Sequence, residues 1–110
     1  MNNPHAKSRC NLFFETLGTS LKIDIITELK HGALNVNELA RKLNQERSKV
    51  SHALLSLGEC GFVNARKEGR IRIYSLNKET IIPLLNLVER HVEKYCKACR
   101  KQRTERSKTK

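Results

Sequence analysis

The sequence predicts a mainly α fold of the α+β class, a series of short helices carrying one small β-hairpin. Three observations carry that prediction. Apolar residues recur at helical spacing in five separate segments. One glycine-containing turn, Lys67-Glu68-Gly69-Arg70, separates two strand-like runs. At 110 residues, the chain suits one domain with a modest core rather than a multi-domain enzyme.

Residues 1 to 7 carry no pattern and are expected to be disordered. Leu12, Phe13, Leu17 and Leu21 carry the first helical pattern, which Gly18-Thr19-Ser20 interrupts. Ser20 is placed to cap a second helix holding Ile23, Ile25, Ile26 and Leu29, ending at His31-Gly32. A short connector follows, with Val36 as a single strand residue that could pair with the hairpin. Asn37 is then expected to cap a third helix through Leu43, and Asn44-Gln45-Glu46 to turn the chain into a fourth, from about 46 to 60.

The fourth helix puts Val50, Ala53, Leu54 and Leu57 on one face, at i, i+3, i+4 and i+7. Arg47, Ser48, Lys49, Ser51 and His52 are left to point outward. Gly61 stands where a left-handed residue can end the helix. Phe62 and Val63 open the hairpin, and Ile71, Ile73 and Leu76 mark its return strand. Asn77 is expected to cap the last helix, with Pro83 tolerable in its first turns. That helix has a seam of Ile81, Leu85, Val88 and Val92, widened by Leu84 and Leu87. A helix so apolar needs another surface to cover it, and its own first helix is one candidate.

The net charge of +11 and the sequence pI near 9.9 favour a polyanionic partner. The charge is uneven. Lys94 to Lys110 carries eight Lys or Arg and one Glu, a net +7 that leaves +4 for everything before it. The chain is therefore divided at residue 100: a folded domain over 1–100 and a basic, disordered tail over 101–110. The tail can add phosphate contacts or stand as solvated surface. MNNPHAKSRC contains no apolar core of a signal peptide, and no apolar run approaches the roughly 20 residues that span a bilayer. A cytoplasmic protein is expected, whose four cysteines are thiols, metal ligands or redox switches rather than structural disulfides. There is no Ser/His/Asp grouping, phosphate-binding glycine loop or acid pair, so no enzyme is expected.

A buried helix with a basic outer face, followed by a hairpin with a basic tip, has the pattern of a groove reader with a backbone clamp. Duplex DNA is the expected partner. On the helix, Arg47, Lys49 and Ser51 are the favoured contacts, with Ser48 and His52 beside them. On the hairpin, Arg66, Lys67, Arg70 and Arg72 are candidates, Arg70 at the tip being best placed to enter or flank a minor groove.

The residues Ser48, Val50, Ser51, Leu54, Leu57, Gly61, Phe62 and Val63, followed by Arg66, Glu68, Gly69, Arg70, Tyr74, Ser75 and Leu76, resemble the ArsR/SmtB family of winged helix-turn-helix repressors. LFFETLGTSLKIDIITELKHG is similar to the family's opening helices, and the likeness covers roughly residues 8 to 95. It implies a winged helix-turn-helix with N- and C-terminal dimerisation helices, a homodimer joined through the last helix, and a palindromic operator. The family's cysteine metal motif is absent from Asn37–Leu43, and the histidine and acid pairs of its zinc-sensing last helix are unmatched, with only Glu89 and His91 nearby.

Cys96 and Cys99 form a Cys-x2-Cys pair after Tyr95. If the last helix continues through them, both thiols flank its apolar seam. The resemblance sets Cys10, at the start of the first helix, beside them. Cys10, Cys96 and Cys99 would then suit zinc or another thiophilic metal ion, or act as a redox switch through an inter-subunit bond or one to Cys10, with three ordinary reduced thiols as the alternative. Lys94, Lys97 and Arg100 are expected to depress the thiol pKa values. Cys60, in GECGF, reads as a small core residue. The expected function is a homodimeric, sequence-specific transcription repressor that responds to thiol chemistry. The competing reading is a constitutive chromatin-like coat without a sensing site, and the scarcity of aromatics argues against single-stranded RNA.

Overall fold

In a computed structural model, the backbone is described over residues 9–99 and the side chains over 11–99. The element order is α1 (Arg9–Leu17), α2 (Ser20–Leu29), β1 (Leu34–Asn35), α3 (Val36–Leu43), α4 (Arg47–Glu59), β2 (Val63–Glu68), β3 (Ile71–Leu76) and α5 (Ile81–Tyr95). The mainly α reading with a hairpin holds, and β1 adds a third antiparallel strand in the order β1-β3-β2. Two compact units result, one ending at Asn77 and the other beginning at Lys78.

The core of the first unit follows the predicted helix faces. Ile25, Ile26 and Leu29 of α2, Leu39 and Ala40 of α3, and Val50, Ala53, Leu54 and Leu57 of α4 are buried together with Phe62, Val63 and Leu76. Phe13 brings α1 onto this core, its ring 4.8 Å from that of Phe62. Leu12, Ile23 and Ile71, expected on apolar faces, are exposed instead. Ile71 adjoins the hairpin tip, and Ile23 lies off the meridian shared by Ile25, Ile26 and Leu29.

Three expected caps lie elsewhere. Thr19 rather than Ser20 is the N-cap of α2, and Thr80 rather than Asn77 that of α5. Asn35, not Asn37, caps α3: its side chain accepts from the Glu38 N–H at 2.8 Å, while Glu38 accepts from the Asn35 N–H at 2.9 Å. This is a reciprocal capping box. It places Val36 inside the helix, so the residues that pair with β3 are Leu34, opposite Tyr74, and Asn35, opposite Ile73. Asn77 instead donates from its side chain to the Gly61 carbonyl at 3.0 Å and from its backbone to that of Phe62, tying the hairpin's end to the end of α4.

Both helices of the α3–α4 pair end in left-handed caps. Asn44 (φ 54°) closes α3, with Gln45 N–H reaching the Ala40 carbonyl at 2.9 Å. Gly61 (φ +79°) closes α4 as expected; Phe62 N–H reaches the Leu57 carbonyl and Gly61 N–H that of Gly58, a Schellman arrangement. This closure turns Phe62 into the core directly after the helix, so the start of β2 is fixed relative to α4.

Candidate nucleic-acid interface

The first three residues of α4, Arg47, Ser48 and Lys49, stand at the surface because the helix is pinned from below by Val50, Ala53, Leu54 and Leu57. The hairpin register then decides what the wing offers. Val63 faces Leu76, Ala65 faces Tyr74 and Lys67 faces Arg72 on one side of the ribbon. Asn64 with Ser75, Arg66 with Ile73 and Glu68 with Ile71 form the other side. The turn is tighter than the sequence suggested: Lys67 and Glu68 belong to β2, leaving Gly69 (φ +64°) and Arg70 as its two central residues. A positive φ at the first of these is what a two-residue hairpin requires of glycine.

Two clefts divide the predicted contacts. The first, about 440 Å³, is lined by Arg47 and Ser51 of α4, Arg70 and Arg72 of the wing, Tyr74, and the start of α3 at Asn35 to Asn37. Three guanidinium groups therefore border one cleft. Lys67 and Arg72 also oppose each other directly on the hairpin, a like-charge pairing that disfavours the ribbon until an anion lies across it. The second cleft, about 430 Å³, sets Ser48, Lys49 and His52 against Thr19, Leu21 and Lys22 of α2. Arg47 and Lys49, grouped together by the sequence, thus lie on opposite flanks of α4, roughly 200° apart at 100° per residue.

Arg66 is differently engaged. Its guanidinium holds the Glu68 carboxylate at 2.7 and 2.8 Å, on the face of the ribbon away from Lys67 and Arg72. Its charge is largely compensated within the wing. Sequence reasoning missed Asn37 as a lining residue, because it was assigned to capping. The helix-turn-helix pairing itself was the available signal, since the first helix of such a pair crosses the phosphate backbone. Leu55 was missed too: it is 60% exposed on the outer face of α4 among Ser48, Ser51 and His52.

The thiols differ from expectation in three respects. Cys60 is exposed rather than core, with its sulfur 3.4 Å from the Thr16 hydroxyl. The last helix does not run through the Cys-x2-Cys pair: Cys96 is extended (φ −93°, ψ 93°), and residues 97–99 form a new helical turn. The pair therefore does not continue the α5 meridian of Ile81. The Sγ atoms of Cys96 and Cys99 share a thiol–thiol hydrogen bond at 2.9 Å, and the Cys99 backbone N–H donates to Cys96 Sγ at 3.4 Å. The hydrogen bond with Cys96, with lesser help from desolvation and from charge repulsion by Cys96, holds the Cys99 thiol above its ordinary pKa. The basic neighbours were expected to lower it; at Cys99 the shift runs the other way. The side chain of Cys10 lies outside the described residues, as does the tail from 100. Among the described residues no group of three or more His, Cys, Asp or Glu could hold a metal ion, so the two thiols alone do not make the closed four-ligand shell of structural zinc. No helix of the described residues is long and apolar enough to cross a membrane.

Comparison with known proteins agrees with this geometry. The family described as sugar-specific transcriptional regulator TrmB matches residues 26–79, the stretch from α2 to the start of the last unit. The chain is 35% identical over 79 residues to the HTH-type transcriptional regulator NmtR of Mycobacterium tuberculosis, a match spanning 72% of this chain and 66% of that protein. A solved regulator described as a possible transcriptional regulator for arsenical resistance is 31% identical, with a TM-score of 0.60 over 71% of this chain and 81% of its own. In fold, the chain also matches a homodimeric winged helix-turn-helix DNA-binding domain of Mycobacterium bovis, described as a possible ArsR-family regulator. That match has a TM-score of 0.73 at 23% identity, over 79% of this chain and 81% of the other. The Schellman-capped α4, the two-residue wing and these likenesses together establish that the chain belongs to the ArsR/SmtB-type winged helix-turn-helix transcription regulators.

Proposed function

We propose that this regulator is a homodimeric, sequence-specific repressor that binds a palindromic operator in duplex DNA and releases it in response to thiol chemistry in the cytoplasm. The observation that carries the DNA reading is the cleft in which Arg47 and Ser51 of α4 meet Arg70 and Arg72 of the wing. In this reading α4 enters the major groove, Arg47 and Ser51 reach base edges or phosphate, and Arg70 follows the backbone into the adjacent minor groove. Lys67 and Arg72 take a phosphate between them. Ser48, Lys49 and His52 serve the other wall of the groove, with Lys22 beside them. Arg66 contributes least, since Glu68 already holds it.

The dimer reading rests on α5. Leu87 and Val88 are 55% and 46% exposed, and Val92 is half-buried, although they share one apolar stripe. A two-fold partner covering that stripe would set the spacing of two α4 helices to half-sites roughly 34 Å apart. Cys96 and Cys99, directly after α5, would act on that spacing. A thiophilic metal would need further ligands, with Cys10 the candidate, so thiol oxidation is the favoured signal.

The test is binding of the full chain to the duplex upstream of its own gene, against random duplex of equal length, with and without reductant. A preference of at least 10³-fold, in the range typical of specific regulators, supports the reading. Equal affinity for both duplexes would instead identify a DNA-coating protein.

A further inference from the structure

We infer that Cys96 and Cys99 are a redox modification site at which a hydroperoxide closes an intrachain disulfide and a dithiol reductant reopens it. The inference rests on the thiol-responsive reading above only for its consequence at DNA.

The geometry comes from the break at Tyr95. In a continuous helix, side chains three residues apart sit with Cβ atoms about 5–6 Å from each other. Here Cys96 turns extended before residues 97–99 coil again, and the sulfurs come to 2.9 Å. A disulfide is about 2.05 Å long, so bond formation needs a closure of less than ~1 Å. Cys99 is exposed and Cys96 half-buried, so an oxidant can reach the pair. Cys60 is also exposed, but its neighbour is the Thr16 hydroxyl rather than a second thiol. The arrangement thus favours a bond within one chain over the inter-subunit or Cys10 bond that an unbroken helix suggested.

The chemistry divides between the two thiols. Cys99 keeps its proton to higher pH than an ordinary thiol, while its backbone N–H points at the sulfur of Cys96 and stabilises charge there. Cys96 is therefore the attacking thiolate. It takes the distal oxygen of the hydroperoxide: a sulfur–oxygen bond forms, the oxygen–oxygen bond breaks, and the alkoxide leaves as alcohol after taking a proton. Cys99 then attacks the sulfur of the resulting sulfenic acid. The disulfide forms, the sulfur–oxygen bond breaks, and hydroxide departs as water with the Cys99 proton. Two thiols lose two electrons, and the peroxide is reduced to alcohol and water.

The test treats the reduced full chain with cumene hydroperoxide, alkylates the remaining thiols, and digests it after glutamate, which keeps both cysteines in one peptide. The expected product is that peptide lacking two hydrogens, in a chain that migrates as a monomer on a non-reducing denaturing gel. Dithiothreitol should restore it. Cys96→Ser and Cys99→Ser should each abolish it, while Cys10→Ser and Cys60→Ser should leave it intact. A covalent dimer, a bond to Cys10, or sulfinic acid without a bond would overturn the inference. The same samples, titrated with the upstream duplex, separate the two readings: an intact intrachain bond with unchanged DNA affinity supports the inference while refuting a thiol-controlled repressor.

Discussion

The unit ending at Asn77 and the helix that follows it are both rich in Leu, Ile and Val, yet they bury them very differently. Of the buried apolar residues, all but Ile81 belong to the first unit. In α5, Leu84 and Leu85 are half-buried and Leu87, Val88 and Tyr95 are open. The first unit holds nearly all of the core, although Leu12, Phe14, Ile23, Leu55 and Ile71 stand open in it, whereas the apolar stripe of α5 is largely exposed among the described residues. Exposed stripes of this kind mark association surfaces more often than failed cores. In the function proposed above, the first unit serves recognition and α5 serves assembly.

The contrast breaks most severely at Phe62. Phe62→Ala removes a fully buried ring that joins Phe13 to the end of α4, and should lower stability by about 3–5 kcal/mol in urea unfolding. Val88→Ala, on the exposed stripe, should cost the isolated chain far less. A loss at Val88 as large as that at Phe62 would mean that α5 is core rather than interface.

Next in size is the effect on assembly. Val88→Glu combined with Val92→Glu should yield monomers by analytical ultracentrifugation, with operator affinity down on the order of 100-fold as two-site binding is lost. A double variant that remains dimeric moves the interface elsewhere.

Smaller effects sharpen the recognition half. Arg47→Ala should weaken specific binding by about 1–3 kcal/mol if the side chain reads a base. Arg70→Ala should weaken it with less loss of sequence preference. Binding isotherms on the operator and on random duplex separate the two, and intact operator affinity in the Arg47 variant would remove α4 from the groove. Smallest of all, Arg66→Ala should change stability by no more than ~1 kcal/mol, as expected of an exposed ion pair, and leave operator affinity nearly unchanged.

The sequence made the buried face of α4, the glycine closure at Gly61 and the hairpin legible because each depends on local periodicity and turn chemistry. The caps were harder. Ser20, Asn37 and Asn77 are all plausible N-cap residues, and only tertiary context excludes them; for α3 the decisive signal, Asn35 with Glu38 three residues on, was present in the sequence. The separation of Arg47 from Lys49 was half visible in the helical angle, but which flank meets the wing depends on how β3 packs. The break at Cys96 carries neither glycine nor proline, so extending the α5 periodicity through the thiols gave the wrong meridian.

The division of labour is tested most directly by amide chemical-shift mapping of the full chain during titration with the duplex upstream of its gene. The largest perturbations are expected at residues 47–52 of α4 and 69–72 of the wing, with smaller ones at the start of α3. Perturbations concentrated in residues 81–99, with the α4 and wing amides unmoved, would contradict it.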